Sequence, residues 1–176
     1  MVIHLIRHTK VDLPQGICYG QSDVPLLPNW EAEASEIMQK LAHLNDNPLV
    51  YSSPLKRCKL LAGKISNKVN IDNRLIEMNF GDWELRPWNE ITGSDVENWM
   101  NNFVVTRCPG GESYIDLYKR VKSFLSEICN FGEEEAIIVT HAGVIRAIVC
   151  IVQDIPLHKS FEINVAHGQI ISLNLP

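Results

Sequence analysis

Two histidines in the chain each follow a short run of apolar residues. His8 ends the stretch LIRH after a run from Val2 to Ile6, and His141 follows the run AIIVT. Open α/β folds place their ligand crevice at the carboxyl ends of the strands, so both histidines stand where an active site would form. A single histidine at such a position is more often a hydrogen-bonded core residue, so the other residues at strand ends must decide.

Two arginines and a carboxylate accompany the histidines. Arg7 precedes the first of them, Arg57 follows a second apolar run in VYSSPLKR, and Glu77 lies in the stretch RLIEMNFGDWE. If these runs belong to one parallel sheet, all five side chains face one pocket. Spacing alone does not distinguish Glu77 from Glu84 and Glu90, which are close in the chain.

This set of side chains suits the transfer of a phosphoryl group through a histidine nucleophile. Guanidinium groups bind phosphate oxygens bidentately and stabilise the charge that spreads over them in the transition state. His8 must be neutral to attack phosphorus, and neighbouring cations lower its pKa toward that state. A carboxyl such as Glu77 can protonate the leaving alkoxide and later accept a proton from water. The arginines and the second histidine supply the positive charge, so we expect no metal and no other cofactor.

Hydrophobic periodicity predicts the elements that position these side chains. We predict strands at Val2 to Ile6, Pro48 to Ser53, Arg74 to Phe80 and 136–140, and two more in FEINVA and IISLN. The unbroken β-branched run AIIVT is typical of a central strand buried on both faces. The stretch from Thr9 to Asn29 is predicted to be a long loop. The alternation of strands and helices predicts an α/β fold, a three-layer sandwich with a mainly parallel central sheet flanked by helices.

Apolar residues at helical spacing predict four long helices. Asn29 is a candidate N-cap of the first and Ser53 of the second, and Glu112 with Ser113 begins the third. The fourth, AGVIRAIVCIV, is apolar nearly all round and is expected to be buried. Arg57 lies off the inner stripe of its helix, so we expect it to point to the mouth of the sheet. The predicted inner residues are Trp30, Ala34, Ile37, Met38 and Leu41 in the first helix, Leu55, Cys58, Leu61, Ala62 and Ile65 in the second, and Leu117, Val121, Phe124, Leu125 and Ile128 in the third.

Length and composition argue against several classes of protein. With 176 residues and 45% apolar content, the chain is expected to form a single domain over residues 1–176. The net charge of -5 and the scattered basic residues argue against a nucleic-acid partner. Five cysteines without a CxxC pair or zinc-ligand spacing predict reduced thiols. The N-terminal apolar run is too short for a signal peptide or a membrane span, so we expect a cytoplasmic protein without a membrane partner.

Five stretches of the chain, in order, resemble the sequence blocks of the histidine phosphatase superfamily, also called the phosphoglycerate mutase-like family. LIRHT is similar to its N-terminal RHG or RHT signature, SSPLKRC to its second block, EMNFGDWE to its ExxFGxWE block, and PGGES and THAGVIR to the remaining blocks. The resemblance implies the phosphoglycerate mutase-like fold and a phosphatase that acts on a small phosphate ester. It implies that His8 is the phosphorylated nucleophile, that Arg7, Arg57 and His141 bind the phosphoryl group, and that Glu77 is the proton donor.

The stretch RHTKVDLPQGICYGQSDVPL looks most like the α-ribazole phosphatase branch of this family, which belongs to cobalamin biosynthesis. The resemblance implies removal of the 5'-phosphate from α-ribazole phosphate or adenosylcobalamin phosphate. The predicted substrate-binding residues are Tyr19 and Gly20 of this stretch, Ser53 of the second block, and Trp83. Tyr19, Phe80, Trp83 and Trp88 have flat apolar surfaces that suit a benzimidazole, although aromatic residues near a site are more often packing residues.

The chain departs from the common family pattern at several positions. Thr9 replaces a frequent glycine, and Lys10 replaces an acidic or amide residue. Val11 to Gln15 contain no match for an asparagine that contacts phosphate in many relatives. Leu61 and Leu85 replace a frequent threonine and glycine. None of these changes removes a predicted catalytic group, but they leave the phosphate contacts of the first loop open.

Other functions share these residues. A broad-specificity sugar-phosphate phosphatase or a phosphoglycerate mutase uses the same chemistry, although mutases of this family are longer and carry insertions that exclude water. An inactive phosphate-binding module would lack at least one of His8, Glu77 and His141, and all three are present. Neither the GxSxG of serine hydrolases nor the GxxxxGK[ST] of P-loop enzymes occurs.

Overall fold

A five-stranded sheet forms the centre of the protein, whose computed structural model describes residues 1–44, 49–131 and 134–175. The strands are β1 (Val2–Arg7), β2 (Leu49–Ser52), β3 (Val69–Ile71), β4 (Glu135–Thr140) and β5 (Ile170–Asn174). Their order is β3-β2-β4-β1-β5, and every neighbouring pair is parallel except β1 with β5. The β-branched run AIIVT forms the central strand and is buried, as expected. The predicted α/β class with a mainly parallel sheet is confirmed.

Helices cover both faces of the sheet. They are α1 (Trp30–Leu41), α2 (Lys56–Ile65), α3 (Ser94–Asn101), α4 (Tyr114–Ile128) and α5 (Ala142–Val152). α1 and α2 pack on the face that presents Ile137 and Val139, whereas α4 and α5 pack on the face that presents Ala136 and Ile138. Neighbouring residues of a strand point to opposite faces, so β4 contributes to both apolar cores. The result is the predicted three-layer sandwich.

The helix predictions are correct at most positions. α4 begins with a capping box between Ser113 and Asp116, and all five of its predicted inner residues are buried. The prediction for Met38 is wrong, because its side chain on α1 is 40% exposed. α2 begins at Lys56 rather than at Ser53, whose hydroxyl instead accepts the N–H of Leu55 at 3.3 Å.

The predicted strand at Arg74 to Phe80 is wrong. The strand in this region is β3, which ends before it, and a 3-10 turn covers Asn73–Leu75. The guanidinium of Arg120 donates to the carbonyl oxygens of Arg74 and Ile76 at 2.7 and 2.6 Å. These carbonyl oxygens therefore accept hydrogen bonds from a side chain and not from the backbone of a neighbouring strand.

The predicted strand in FEINVA is wrong for the same reason. A 3-10 turn covers Leu157–Glu162, and Nε of Arg146 donates to the carbonyl oxygen of Ile163 at 3.0 Å. Nη1 of Arg7 donates to the carbonyl oxygen of Val165 at 2.6 Å. The other C-terminal strand prediction, IISLN, is confirmed as β5.

Several sequence expectations concern features of the whole chain. Pro48, the predicted start of the second strand, lies outside the described residues. Within the three described ranges, no helix has the length and apolar character needed to cross a bilayer, and no cluster of three His, Cys, Asp or Glu side chains is placed to hold a metal ion. All five cysteines are free thiols, of which Cys129 is exposed.

Candidate active site

Backbone hydrogen bonds join the carboxyl ends of β1, β2 and β4. The N–H of His8 donates to the carbonyl oxygen of Thr140 at 3.1 Å, and the N–H of Ser53 donates to that of Val139 at 3.0 Å. His141 follows β4 directly, so its ring lies beside both residues. Its Nε2 is 2.7 Å from Oγ of Ser53, and its ring centroid is 5.2 Å from that of His8. The structure thus brings these three predicted site residues together.

The ring of His8 has a defined tautomer. Its Nδ1 is 2.7 Å from the carbonyl oxygen of Thr9, and because a carbonyl only accepts, Nδ1 carries the proton. Burial is the main reason that the pKa of His8 lies well below its usual value, and the charges of Arg57 and Arg7 lower it further. The neutral ring then has its lone pair at Nε2, the form in which histidine is a nucleophile.

Two guanidinium groups border this ring. Arg57 is fully buried, and it donates to the carbonyl oxygens of Ser22 at 2.8 Å and Gly20 at 2.5 Å. Arg7 donates to the carbonyl oxygen of Val165. The Nε atoms of both arginines are buried without a hydrogen-bond partner, and no carboxylate oxygen of the described residues lies within 4.0 Å of either group. Because buried charges are normally paired, these cations indicate an anionic ligand.

Glu77 lies in the irregular segment after the 3-10 turn. Its Oε2 accepts the N–H of Gly143 at 3.1 Å, and its Oε1 accepts the N–H of Met78 at 3.0 Å. The guanidinium of Arg120 donates to the backbone carbonyl of Glu77 at 3.1 Å and pairs with Glu112 at 3.1 Å. An ion pair from another part of the chain therefore supports the backbone segment that carries this carboxylate.

Glu84, a second glutamate near the site, organises the first loop. Its carboxylate accepts the backbone N–H groups of Gly20, Ser22 and the residue between them, at 3.1, 2.9 and 2.8 Å. Burial alone would raise the pKa of Glu84, but hydrogen bonds from the Ser22 hydroxyl and the backbone hold it below its ordinary value. A Cβ at Gly20 would clash with the carbonyl oxygen of Met78, so the loop requires glycine there. Glu84 thereby holds the two loop carbonyls that bind Arg57.

Four of the five candidate catalytic side chains line a cavity of about 220 Å³, whereas His141 is fully buried and is not part of its wall. Arg7, His8, Arg57 and Glu77 form one part of its wall. The remainder of the wall is mostly apolar and aromatic, with one further cation. These residues are Ile17, Tyr19, Phe80, Trp88 and Arg146.

The four predicted substrate-binding residues occupy different positions. Tyr19 lines the cavity, and its ring centroid is 5.3 Å from the guanidinium carbon of Arg57. Gly20 and Ser53 are buried, and they bind other site residues: the carbonyl of Gly20 accepts from Arg57, and the hydroxyl of Ser53 contacts His141. Trp83 is 4% exposed and packs edge-to-face against other tryptophans, so it lies in the core behind the cavity wall.

A sequence model of the histidine phosphatase superfamily, branch 1, matches residues 3–175. The chain belongs to this superfamily. The fold agrees, because the α-ribazole phosphatase from Shigella flexneri superposes with a TM-score of 0.88 at 25% identity, over 100% of this chain and 91% of that one.

The names of relatives within the superfamily refer to different substrates. Phosphoserine phosphatase 1 of Hydrogenobacter thermophilus is 30% identical over 166 residues, which are 88% of this chain and 77% of the relative. The adenosylcobalamin/alpha-ribazole phosphatase of Escherichia coli (strain K12) is 27% identical over 178 residues, or 96% of this chain and 87% of the relative. These relatives are all named as phosphatases, but their names do not select one substrate.

Three charged or titratable residues at this histidine phosphatase site were not predicted from the sequence. Arg146 lies one turn into α5 after His141, and its place in the block THAGVIR is a signal that could have identified it. Arg120 lies on α4, and its mostly buried side chain supports the site by binding backbone carbonyls up to that of Glu77. His167 lies in the turn before β5, next to His8, and nothing in the local sequence indicates that position.

Proposed function

We propose that this histidine phosphatase is a metal-independent phosphomonoesterase in which Nε2 of His8 takes the phosphoryl group. One observation carries the proposal: the oriented, neutral ring of His8 lies beside two cations, Arg7 and Arg57, whose Nε atoms are buried and unpaired. A tetrahedral anion at Nε2 would supply the missing partners of both guanidinium groups.

In the first step, the lone pair of Nε2 forms a bond to phosphorus while the ester P–O bond breaks. Glu77 gives a proton to the departing alkoxide. Arg7, Arg57 and His141 stabilise the charge on the non-bridging oxygens. In the second step, water attacks phosphorus, Glu77 takes its proton, the N–P bond breaks, and inorganic phosphate leaves the regenerated histidine.

We propose α-ribazole 5'-phosphate, or the corresponding adenosylcobalamin phosphate, as the substrate, which assigns the enzyme to assembly of the cobalamin nucleotide loop. The wall formed by Ile17, Tyr19, Phe80 and Trp88 supports this choice, because flat aromatic surfaces suit a benzimidazole. The similarity to α-ribazole phosphatases over nearly the whole chain also supports it.

Arg146 favours a second candidate, a small phosphate ester with a carboxylate, such as phosphoserine. Its guanidinium is on the cavity wall, and no carboxylate oxygen of the described residues lies within 4.0 Å of it. It follows Gly143, the partner of Glu77, by one helical turn, and a leaving group that Glu77 protonates would depart close to it. The similarity to phosphoserine phosphatases supports this candidate as well.

Phosphate release in the presence of EDTA tests the proposed chemistry and the substrate together. The panel is α-ribazole 5'-phosphate, O-phosphoserine, 3-phosphoglycerate, fructose phosphates and p-nitrophenyl phosphate, each with the wild type and His8→Ala. We expect turnover that is lost in His8→Ala, with the highest kcat/KM for α-ribazole phosphate. Turnover that persists in His8→Ala contradicts the nucleophile, and uniform weak turnover contradicts the cobalamin assignment.

A matched pair of substrates separates the two candidates. O-phosphoserine and O-phosphoethanolamine differ only by the carboxylate, so Arg146→Met should lower kcat/KM for the first alone if Arg146 binds that group. Arg107→Met, in an exposed ion pair away from the cavity, is the control. Equal effects on both esters would leave α-ribazole phosphate as the favoured substrate.

The cytoplasmic location, the single domain and the lack of nucleic-acid and membrane partners stay predictions.

A further inference from the structure

The turn before β5 holds a histidine next to the proposed nucleophile. The N–H of Gly168 donates to the carbonyl oxygens of both Arg7 and His8, at 3.1 and 3.3 Å. These bonds hold the backbone of the turn next to His167, whose ring centroid is 5.3 Å from that of His8 at an interplanar angle of 61°. His167 is therefore about as close to the nucleophile as His141 is, at 5.2 Å.

Positive charge surrounds the ring of His167. Burial, and then the charges of Arg7, Lys10 and Arg57, lower the pKa of His167 to about 4. At neutral pH the ring is thus neutral, with one N–H donor and one lone pair. In the described part of the chain, no carboxylate oxygen lies within 4.0 Å of the ring, so a bound phosphoryl group would be the nearest negative charge.

His167 contacts Tyr19, which is one of the residues of the cavity wall. The hydroxyl oxygen of Tyr19 is 3.3 Å from Nε2 of His167, which is long for a hydrogen bond. Such a weak bond is readily exchanged for a stronger one to a charged oxygen. Tyr19 lines the cavity and covers the guanidinium of Arg57. His167 is not itself part of the cavity wall, but its contacts with Tyr19 and His8 put its ring beside the space that a phosphoryl group on His8 would fill.

We propose that His167 is a further phosphoryl-binding residue, whose ring N–H donates to a non-bridging oxygen of the group bound at His8. The proposal rests on the proposed phosphatase function, which places the phosphoryl group there. Tyr19 holds the ring in position while the site is empty. When the dianion binds, its charge offsets the surrounding cations, and the ring donates to the oxygen instead.

Binding of inorganic phosphate to the purified protein tests this role without turnover. Titration calorimetry at neutral pH would compare the wild type with His167→Phe, which keeps a ring without a donor, and His167→Asn, which keeps an N–H donor. The exposed His158→Phe is the matched control. A hydrogen bond to a charged group contributes about 1.5–3 kcal/mol, so we expect His167→Phe to weaken phosphate binding by at least about tenfold. His167→Asn should retain much of the affinity, and His158→Phe should retain all of it.

The outcomes separate this inference from the phosphatase proposal. Phosphate affinity in His167→Phe within twofold of the wild type overturns the inference, as does an equal loss in the Phe and Asn variants. If His167→Phe does not fold, ring-nitrogen NMR of the wild type decides, because phosphate must shift the His167 resonances and an unchanged spectrum overturns the proposal. Hydrolysis that persists in His8→Ala contradicts the phosphatase mechanism whatever the calorimetry shows.

Discussion

The backbone N–H of Gly143 donates to Oε2 of Glu77 at 3.1 Å, and Oε1 of the same carboxylate fills the space that a Cβ of residue 143 would need. Glycine near the start of α5 is what allows the helix to approach this carboxylate. A Cβ there would clash with the far end of a flexible side chain, so the carboxylate would move and the helix would not.

Gly143→Ala should therefore reduce activity without reducing stability. Displacement by about 1 Å in an active site can lower a rate by about 100-fold, so we expect at least a tenfold fall in kcat with alkyl phosphates. Alanine favours a helix over glycine by about 1 kcal/mol, so Tm should stay or rise. Steady-state kinetics and thermal unfolding measure the two effects. Gly63→Ala, where a Cβ has open space on α2, is the control, and an unchanged kcat in Gly143→Ala would contradict the role of Glu77.

Glu77→Gln should slow poor leaving groups far more than good ones. A general acid contributes about 10²- to 10⁴-fold when the leaving oxygen needs a proton, but much less when that oxygen is already acidic. Rates with alkyl phosphates and with p-nitrophenyl phosphate give the comparison, and the exposed Glu90→Gln is the control. An equal loss on both substrates would mean that Glu77 binds substrate and does not protonate it.

Arg120→Met should lower both stability and activity, because it removes the donors that hold the Glu77 segment. Hydrogen bonds to a charged group contribute about 1.5–3 kcal/mol each, so we expect the free energy of unfolding to fall by about 2 kcal/mol and kcat to fall with it. Arg120→Lys should recover little of the lost stability or activity, since lysine lacks the planar guanidinium group that donates to several carbonyls at once. Urea unfolding and kinetics measure these changes, with Arg107→Met as the exposed control. A loss of stability with full kcat would show that Glu77 needs no such support.

Stability should decrease as the pH falls below about 6.5. Burial, together with neighbouring cations, lowers the pKa of His8 and His141 well below 6.5 and that of His167 to about 4. Above pH 6.5 these rings are neutral in the folded and unfolded states, so they add no pH dependence. Below it, only the unfolded chain takes up protons, and each ring contributes a slope approaching about 1.4 kcal/mol per pH unit.

Urea unfolding between pH 8 and pH 5 measures this dependence. His8→Asn should reduce the slope of the free energy of unfolding by up to about 1.4 kcal/mol per pH unit, the contribution of one proton. The exposed His158→Asn should leave the slope unchanged. A free energy of unfolding that is constant from pH 7 to pH 5 would mean that the buried histidines accept protons in the folded protein.

Some residues of the candidate site could be predicted from the sequence pattern, and others could not. The positions of His8, Arg57 and His141 followed from apolar runs that end in polar residues, because strand ends of a parallel sheet meet at one edge. The choice of Glu77 over Glu84 came from the family resemblance, and the two differ in the structure by their partners. Glu84 is saturated by loop N–H groups, whereas Glu77 borders the cavity.

The sequence by itself determined the features that depend on local periodicity: the α/β class, the buried central strand and the inner face of α4. Only the tertiary structure decided the path of residues 74–80 and 161–166, where alternating apolar residues predicted strands. In both segments the carbonyl oxygens bind arginine side chains from elsewhere in the chain, Arg120 for the first and Arg146 and Arg7 for the second. A hydrogen bond between residues far apart in the chain leaves no periodic signal along it, so His167 and these arginines became visible only in the folded protein.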